Sequence, residues 1–206
     1  MVSPIPSDRD LFRRVQKGDA GAFEEFFDRY SSSILNYVYR MIGDWQAAED
    51  IAQETFIRAF RHVGSFRFES EPKTWLYRIA TNLLRNAVRK RNKRSEYQVR
   101  LFPMDEEESA NRLLEGVDES QRPDRQAMGR EFERILQEAI ASLPERLRVV
   151  VVMCDIQNHS YEEAAVLLGI SYDAIRQRHS RARARLDPLV KRFVRDIGHE
   201  SESDVS

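Results

Sequence analysis

The sequence has one cysteine, few glycines and prolines, and no long apolar run. One cysteine in 206 residues excludes a disulfide framework or a multi-cysteine zinc site and favours a reducing compartment. With 8 Gly and 7 Pro, the chain lacks the turn formers of a sandwich or barrel. The longest apolar stretch, residues 149–154, is too short to cross a bilayer, and residues 1–10 lack the apolar core of a signal peptide. We therefore expect a cytoplasmic protein that is neither secreted nor a membrane protein.

What the chain does contain favours helices. Charged residues make up 33% and hydrophobic residues 41% of the sequence, which is too apolar for general disorder. Cys154 follows four valines and is predicted to be a small buried hydrophobe. The predicted fold class is all-α.

The net charge of −1 conceals a segregation of charge along the chain. Residues 61–100 carry a net +8, residues 101–124 a net −6, and residues 170–195 a net +6. Two basic blocks that flank an acidic one indicate nucleic acid as a partner, although charge runs can also be solvated faces.

The acidic segment is predicted to be a linker. It contains Pro103 and Pro123 and has few aligned apolar residues, with one short helical turn expected near residues 111–115. The predicted organisation is a helical domain over 8–95, an acidic flexible linker over 96–124, a helical domain over 125–187 and a tail over 188–206.

In the first domain, Asp44 is predicted to cap an amphipathic helix. The apolar positions of this helix recur with helical spacing: Ala48, Ile51, Ala52, Thr55, Phe56, Ala59 and Phe60. Its opposite face is polar, with Ile57 beside it.

A loop with two exposed-looking aromatics, Phe66 and Phe68, precedes a basic helix that is predicted to run from 73 to about 91 and to bury Trp75, Leu76, Ile79, Ala80 and Leu83. Aromatic side chains beside positive charge suit the unstacked bases of a single strand. The alternatives are core packing for Trp75 and Tyr77, and a solvated helix end for the basic cluster at 89–94.

The second domain contains a helix-turn-helix pattern. A helix over about 125–142 and another over about 144–156 come first. Ser160 with Glu163 then forms a capping box, Gly169 ends that helix, and Ser171 caps another helix that is predicted to end near Leu186. In this last helix Ala174, Ile175, Ala182 and Leu186 face the core, with Arg178 and His179 at the edge.

The exposed stripe of that helix is rich in side chains that read base edges in the major groove. It comprises Tyr172, Asp173, Arg176, Gln177, Ser180, Arg181 and Ala184. Arg178, Arg183 and Arg185 are placed for phosphates. The alternative is a helical hairpin with a solvated basic face.

Four segments together resemble the extracytoplasmic-function sigma factors, the smallest members of the sigma-70 family. They are DIAQETFIRAF at 50–60, TWLYRIATN at 74–82, LPERLR at 143–148 and SYEEAA at 160–165. The resemblance covers about residues 8–186. It implies a factor that directs RNA polymerase core to promoter DNA, contacts its beta-prime clamp and beta subunits, and is held by an anti-sigma factor.

The resemblance also implies residue roles. The clamp-binding set is Asp50, Gln53, Glu54, Phe56 and Ile57. The −10 element is assigned to Phe66, Phe68, Ser70, Lys73, Arg78, Asn82, Arg85 and Arg89, with the loop 65–71 taking a flipped base. The −35 element is assigned to Ser171, Tyr172, Arg176, Gln177, Ser180, Arg181 and Arg183. The linker corresponds to the segment threaded through the polymerase channels.

The chain departs from the family pattern at three places. Tyr172 and Gln177 give the last helix its own chemistry, so the promoter sequence cannot be carried over from relatives. Asn158 and His159 stand where many relatives have Asp-Gly, and the apolar stripe after Leu186 suggests a packed or partner-binding helix, with Pro188 able to kink or end it.

The competing hypotheses are a sigma-like decoy that binds an anti-sigma partner without promoter DNA, and a stand-alone repressor. The four histidines show no metal spacing and no phosphate loop is present, so neither an enzyme, a metal, a cofactor nor a small-molecule substrate is expected.

Overall fold

The computed structural model describes residues 5–94 and 127–203. Within these ranges the chain forms eight α-helices and no strand, which confirms the all-α class. The helices are α1 (Asp8–Gln16), α2 (Ala20–Ile42), α3 (Trp45–His62), α4 (Pro72–Arg94), α5 (Ala127–Ala141), α6 (Glu145–Val151), α7 (Tyr161–Leu168) and α8 (Tyr172–Ser203). They divide into two compact units, one on each side of residue 101. The predicted linker, 96–124, lies outside the described residues.

The helix ends follow the start and stop signals of the sequence. The Asp44 carboxylate accepts a hydrogen bond from the Ala47 N–H at 3.0 Å and so begins α3. Ser160 and Glu163 form the predicted capping box at the start of α7. Gly43 and Gly169 end α2 and α7 with φ of +70° and +69°, a left-handed conformation that glycine adopts without steric cost. Asn158 also lies in the left-handed region, with φ of +54°.

The core of the first unit forms where α2, α3 and α4 pack together. Tyr37 and Tyr77 are both fully buried, and the Tyr37 hydroxyl lies 3.0 Å from Oγ1 of Thr81. Burial raises the pKa of the Tyr77 hydroxyl, so this phenol remains a neutral hydrogen-bonding group.

In the second unit α6 packs on α8 through Leu147, Val151 and Ala182, and Leu143, just before α6, joins the same cluster. The Arg148 guanidinium is buried in the same unit and donates hydrogen bonds to the carbonyl oxygens of Ala141, at 2.5 Å, and Leu143, at 3.1 Å. Ala141 is the last residue of α5 and Leu143 lies in the connection to α6, so Arg148 satisfies a carbonyl that the helix leaves unpaired and one that follows it.

One predicted helix has the expected ends but not a uniform type, and one predicted helix end is wrong. The helix expected over about 144–156 changes after Val151 into a π-helical segment, Val152–Ile156, whose wider turn shifts the following side chains. The last helix does not end near Leu186 but continues through Pro188 to Ser203. A proline deletes one backbone hydrogen bond, and the good helix formers on both sides of Pro188 sustain the helix across that loss.

Several burial predictions also need correction. Phe60 is 53% exposed because its ring leans on the edge of Phe23, with ring centroids 5.0 Å apart, and is not enclosed. On α4 the buried stripe runs through Tyr77, Ala80 and Leu84, so Leu83 beside it is only half-buried, as are Trp75 and Ile79. On α3 Ile51 is half-buried too.

Cys154 is half-buried instead of fully buried. In the same π-helical segment, Val152 and Met153 are fully buried, so Cys154 lies at the edge of the face that packs on the core. Burial, with a contribution from Asp155, raises the pKa of its thiol to about 11. The thiol is therefore protonated at neutral pH and a poor nucleophile.

Within the described ranges, none of the helices combines the length and the apolarity that crossing a bilayer requires.

Candidate nucleic-acid interface

The first half of α8 presents a polar and basic stripe to solvent. Ser171 precedes it, and its hydroxyl accepts a hydrogen bond from the Ala174 N–H at 3.2 Å. Ile175 and Ala182 face the core and are fully buried. Every member of the predicted stripe is exposed or nearly so: Tyr172, Asp173, Arg176, Gln177, Ser180, Arg181 and Ala184. Arg183 and Arg185 are accessible as well. The face that projects from this unit is thus the one with side chains suited to base edges.

A side-chain network fixes α8 against α7 and the π-helical segment. The helical spacing predicts His179 at the edge, but it is only 6% exposed. Its Nδ1 lies 2.7 Å from the Tyr161 hydroxyl, and its Nε2 lies 2.9 Å from Oδ2 of Asp155. The prediction is wrong because helical spacing alone cannot show that the π-helical segment brings Asp155 to this position.

Beside the stripe lies a basic cleft, which α6 and α8 form together. It measures about 400 Å³ and its lining contains four arginines and no acidic residue. The arginines are Arg146 from α6 and Arg178, Arg181 and Arg185 from α8, with Gln177 next to them. Sequence reasoning missed Arg146 because it lies 32 positions before Arg178 and no local spacing connects the two helices.

The loop 65–71 joins a 3-10 turn, Val63–Ser65, to α4. Phe66 and Phe68 are predicted to be exposed, yet both are half-buried. The Phe66 ring packs on Phe12 at 5.1 Å and on Trp75 at 5.2 Å between centroids, and Phe68 packs on Phe66 at 4.9 Å. Phe68 has φ of +59°, which a bulky residue adopts only at a cost. The correction follows from α1, whose Phe12 completes the aromatic cluster.

The basic side chains of α4 share one face of the helix. Arg78, Asn82, Arg85 and Arg89 follow one another at intervals of three or four residues, which places them in a row. Arg78, Asn82 and Arg89 are exposed and Arg85 is half-buried. Burial lowers the pKa of the Arg85 guanidinium, a change that Tyr37 partly opposes.

Two further predicted residues lie where the loop meets α4. Ser70 and Lys73 are both half-buried, and the Lys73 ammonium lies 6.0 Å from the centroid of the Tyr77 ring. The loop 65–71 leads directly into α4, and its Phe66 packs on Trp75 in the first turn of that helix. The aromatic cluster of the loop therefore lies at the start of the helix that carries Arg78, Asn82, Arg85 and Arg89.

The outer face of α3 carries the residues that are predicted to contact the polymerase. Asp50, Gln53 and Ile57 are exposed, and Glu54 is half-buried in an ion pair with Arg58, at 2.6 Å. Phe56 is different: it is only 5% exposed and packs on Phe27 with centroids 4.7 Å apart, so it belongs mainly to the core.

This face borders an apolar groove between α2 and α3, which we call the α2–α3 groove. It measures about 290 Å³ and is lined by Phe23, Phe27, Gln53, Phe56, Ile57, Phe60 and Arg61. Phe27 and Phe60 are 42% and 53% exposed, so the groove presents aromatic surface to solvent. Sequence reasoning did not include Phe23 and Phe27, because their helix by itself looks like an ordinary amphipathic one.

In the described part of the chain, no group of three or more His, Cys, Asp or Glu side chains could hold a metal ion. The chemistry that this surface offers is hydrogen bonding, positive charge and aromatic stacking.

Comparison with known proteins agrees with this division into two units. The chain matches the family model of Sigma-70 region 2 over residues 26–94 and that of Sigma-70, region 4, over residues 133–186. It is 34% identical over 194 residues to the RNA polymerase sigma-H factor of Pseudomonas aeruginosa, a match that covers 92% of this chain and 96% of that protein. It is 35% identical over 189 residues to the ECF RNA polymerase sigma factor SigW of Bacillus subtilis, covering 90% and 95%.

Among solved structures, the chain resembles CnrH, determined in complex with the cytosolic domain of CnrY. The identity is 25%, the TM-score is 0.63, and the match covers 90% of this chain and 98% of that one. The sigma factor RpoE of Bartonella quintana, determined with the anti-sigma factor NepR, shares the fold at 22% identity and a TM-score of 0.60, over 82% of this chain and 96% of that one.

Two helical units of these kinds, one of them a helix-turn-helix with an exposed basic stripe, define a bacterial transcription initiation factor. The chain belongs to the extracytoplasmic-function sigma factors of the sigma-70 family. Members of this family bind RNA polymerase and promoter DNA and are not enzymes.

Proposed function

We propose that this sigma factor holds the polymerase with the outer face of α3 and reads its promoter with two separate surfaces, one in each unit. The observation that carries the proposal is the exposed stripe of α8, because a helix-turn-helix presents its second helix to the major groove.

The outer face of α3 contacts the beta-prime clamp of the polymerase. The bound factor also contacts the beta subunit. Asp50, Gln53, Glu54 and Ile57 are spaced i, i+3, i+4 and i+7, which places them on one face. Polar side chains give this face its specificity, and the exposed Ile57 supplies apolar area for a helical partner. Phe56 supports the face from below.

For the −10 element, the loop 65–71 takes a base that has left the stack, and the row on α4 holds the strand. Phe66, Phe68 and Ser70 belong to the loop, Lys73 stands at the start of α4, and Arg78, Asn82, Arg85 and Arg89 follow the backbone. A single strand with unstacked bases is bound by this combination of aromatic rings and cationic side chains. The basic block of +8 over 61–100 favours the same partner.

For the −35 element, α8 enters the major groove of duplex DNA with its N-terminal end. Arg176, Gln177, Ser180 and Arg181 contact base edges, while Ser171, Tyr172 and Arg183 border them. The arginines of the basic cleft, including Arg146, bind phosphates beside the element, since phosphate contacts fix the register of a reading helix.

Control by an anti-sigma factor is suggested by the solved relatives. CnrH has been determined together with the cytosolic domain of CnrY, and this chain offers an exposed apolar surface, the α2–α3 groove, of the kind that binds a partner helix. We infer that an anti-sigma protein occludes this surface and thereby competes with the polymerase in the cytoplasm. The acidic linker over 96–124 occupies the polymerase channels when the factor is bound to core.

The test is transcription by purified core polymerase on fragmented genomic DNA, with and without the sigma factor, followed by mapping of the RNA 5′ ends. The expected result is a defined set of start sites that appear only with the factor and share an upstream sequence. Failure to bind core, or a set of start sites identical to those of core alone, would overturn the proposal.

A further inference from the structure

The first helix of the chain contacts the loop 65–71 with a single face. Its residues Arg9, Phe12, Arg13 and Gln16 are spaced i, i+3, i+4 and i+7, so all four side chains point the same way. Each of them touches the loop or an adjoining turn. This helix lies outside the residues that match the family models, 26–94 and 133–186.

Gln16 makes the most directional of these contacts. Its Nε2 donates hydrogen bonds to the carbonyl oxygens of Val63 and Phe66, each at 2.9 Å. A glutamine amide has two N–H donors, and both are used here on the backbone that enters the loop. The side chain therefore fixes where the loop begins.

The other three contacts hold the rest of the loop. Phe12, fully buried, meets the Phe66 ring edge-on at 5.1 Å. The Arg13 guanidinium lies over the Phe68 ring, 5.4 Å from its centroid, within the range of a cation–π interaction. At the far end of the loop, Nε of Arg9 donates to Oε1 of Glu71 at 2.8 Å.

These contacts stabilise an unusual backbone conformation in the loop. Phe68 has φ of +59°, and a non-glycine residue stays in that region only when its surroundings over-determine it. Of the neighbours that hold Phe68, Phe66 belongs to the loop and is itself packed on Phe12 of α1, while Arg13 comes from α1 directly. Binding residues on a loop need a rigid element that positions them. Helix α1 is such an element, because Ser7 caps its start and Phe12 anchors it in the core.

We propose that α1 is a positioning element for the loop 65–71, and that Gln16 and Arg9 set the shape in which the loop receives an unpaired base. The proposal rests on the −10 function proposed for the loop and adds residues to it. Gln16 and Arg9 need not touch DNA: they act through the carbonyls of Val63 and Phe66 and through Glu71.

The experiment measures binding of the holoenzyme to single-stranded oligonucleotides of the non-template −10 region, each with one abasic site. Wild-type holoenzyme is expected to lose about tenfold in affinity when the captured base is removed, since stacking of one base contributes an effect of that size. In Gln16→Met, which keeps the length of the side chain but has no donor, this loss is expected to shrink to about twofold. Gln46→Ala, an exposed glutamine on α3, is the matched control.

A second pair of variants keeps the test decisive if Gln16→Met unfolds. Arg9→Glu should reduce the discrimination, and the exchange Arg9→Glu with Glu71→Arg should restore it, because the ion pair is re-formed in reverse. Unfolding would be visible in tryptophan fluorescence, since Trp75 belongs to the same aromatic cluster.

The outcomes separate the two proposals. If wild-type holoenzyme shows no sensitive position at all, the −10 function of the loop is wrong. If wild type discriminates and a folded Gln16→Met protein discriminates equally well, or if the charge exchange restores nothing, the positioning role of α1 is wrong.

Discussion

The hydroxyl of Tyr161 lies 2.7 Å from Nδ1 of His179, and this contact joins the first residue of α7 to the buried side of α8. Nε2 of the same imidazole lies 2.9 Å from Asp155. A neutral imidazole serves both partners when Nε2–H donates to the carboxylate and Nδ1 accepts from the phenol. The reading helix is therefore anchored by hydrogen bonds as well as by Ile175 and Ala182.

Replacing Tyr161 by Phe tests this anchor. The substitution keeps the ring that packs edge-on against His179 but removes the donor, so the second unit should lose about 1 kcal/mol of unfolding free energy. Urea denaturation followed by circular dichroism measures the loss. Val166→Thr, which keeps a β-branched side chain at a position of the same helix that is 57% exposed, is the control and should change the unfolding free energy by no more than about 0.5 kcal/mol. Equal stability of Tyr161→Phe and wild type would contradict the anchoring role.

The pH dependence of the second unit provides a test of Glu145. Burial raises the pKa of its carboxyl to about 7, and the positive charge of Arg148 opposes part of this rise. The folded state therefore binds a proton more tightly than the unfolded state does, and stability falls as the pH rises from about 4.5 to about 7. In Glu145→Gln this fall should be smaller by up to about 3 kcal/mol.

The two units can be followed separately in that measurement. Both tryptophans, Trp45 and Trp75, lie in the first unit, so their fluorescence reports its unfolding alone, while circular dichroism reports both units. The pH profile of the fluorescence transition should be the same in wild type and Glu145→Gln. Coincident circular-dichroism profiles for the two proteins would contradict the prediction.

Arg146 is expected to contribute to DNA affinity but not to base preference. If it binds a phosphate, Arg146→Ala should lower the slope of log K against log salt by about 1 for holoenzyme on a duplex promoter. The order of preference among promoter variants should stay the same. Lys191→Ala, at an exposed cation of the same unit that lies outside the basic cleft, is the control. An unchanged salt dependence would show that Arg146 does not contact a DNA phosphate.

Ile57 tests the contact with the polymerase. Its side chain is exposed at the border of the α2–α3 groove, so Ile57→Asp should leave the fold intact. A charge at the centre of an apolar contact costs about 2 kcal/mol or more, which corresponds to a core affinity at least about 30-fold lower. His62→Ala, exposed on the same helix but on a different face from Ile57, serves as the control in a titration of core polymerase. Undiminished affinity would place the contact elsewhere.

Much of the fold is predictable from the sequence because its signals are local. Asp44, Ser160 with Glu163, and Gly169 act on neighbouring residues, so capping chemistry alone locates these helix ends. The exposed stripe of α8 follows from helical spacing in the same way. These features need no knowledge of tertiary packing.

The features that sequence reasoning missed depend on contacts between distant residues. Phe66 looks exposed in the sequence because its neighbour Phe12 is 54 positions earlier, and His179 looks peripheral because a π-helical segment supplies its partner. Phe60 has the correct spacing for the core, yet α2 does not cover it. Periodicity gives the face of a helix, but not whether a second element reaches that face.

The most direct test of the central claim, that α8 reads the promoter for the polymerase, is to map RNA 5′ ends with Arg176→Ala plus Arg181→Ala in the genomic transcription assay. A good bidentate base contact discriminates by about 1–3 kcal/mol. We predict that factor-dependent start sites weaken at least about tenfold while core binding is retained. Start sites of unchanged position and strength would contradict this claim and would mean that residues other than Arg176 and Arg181 read the promoter.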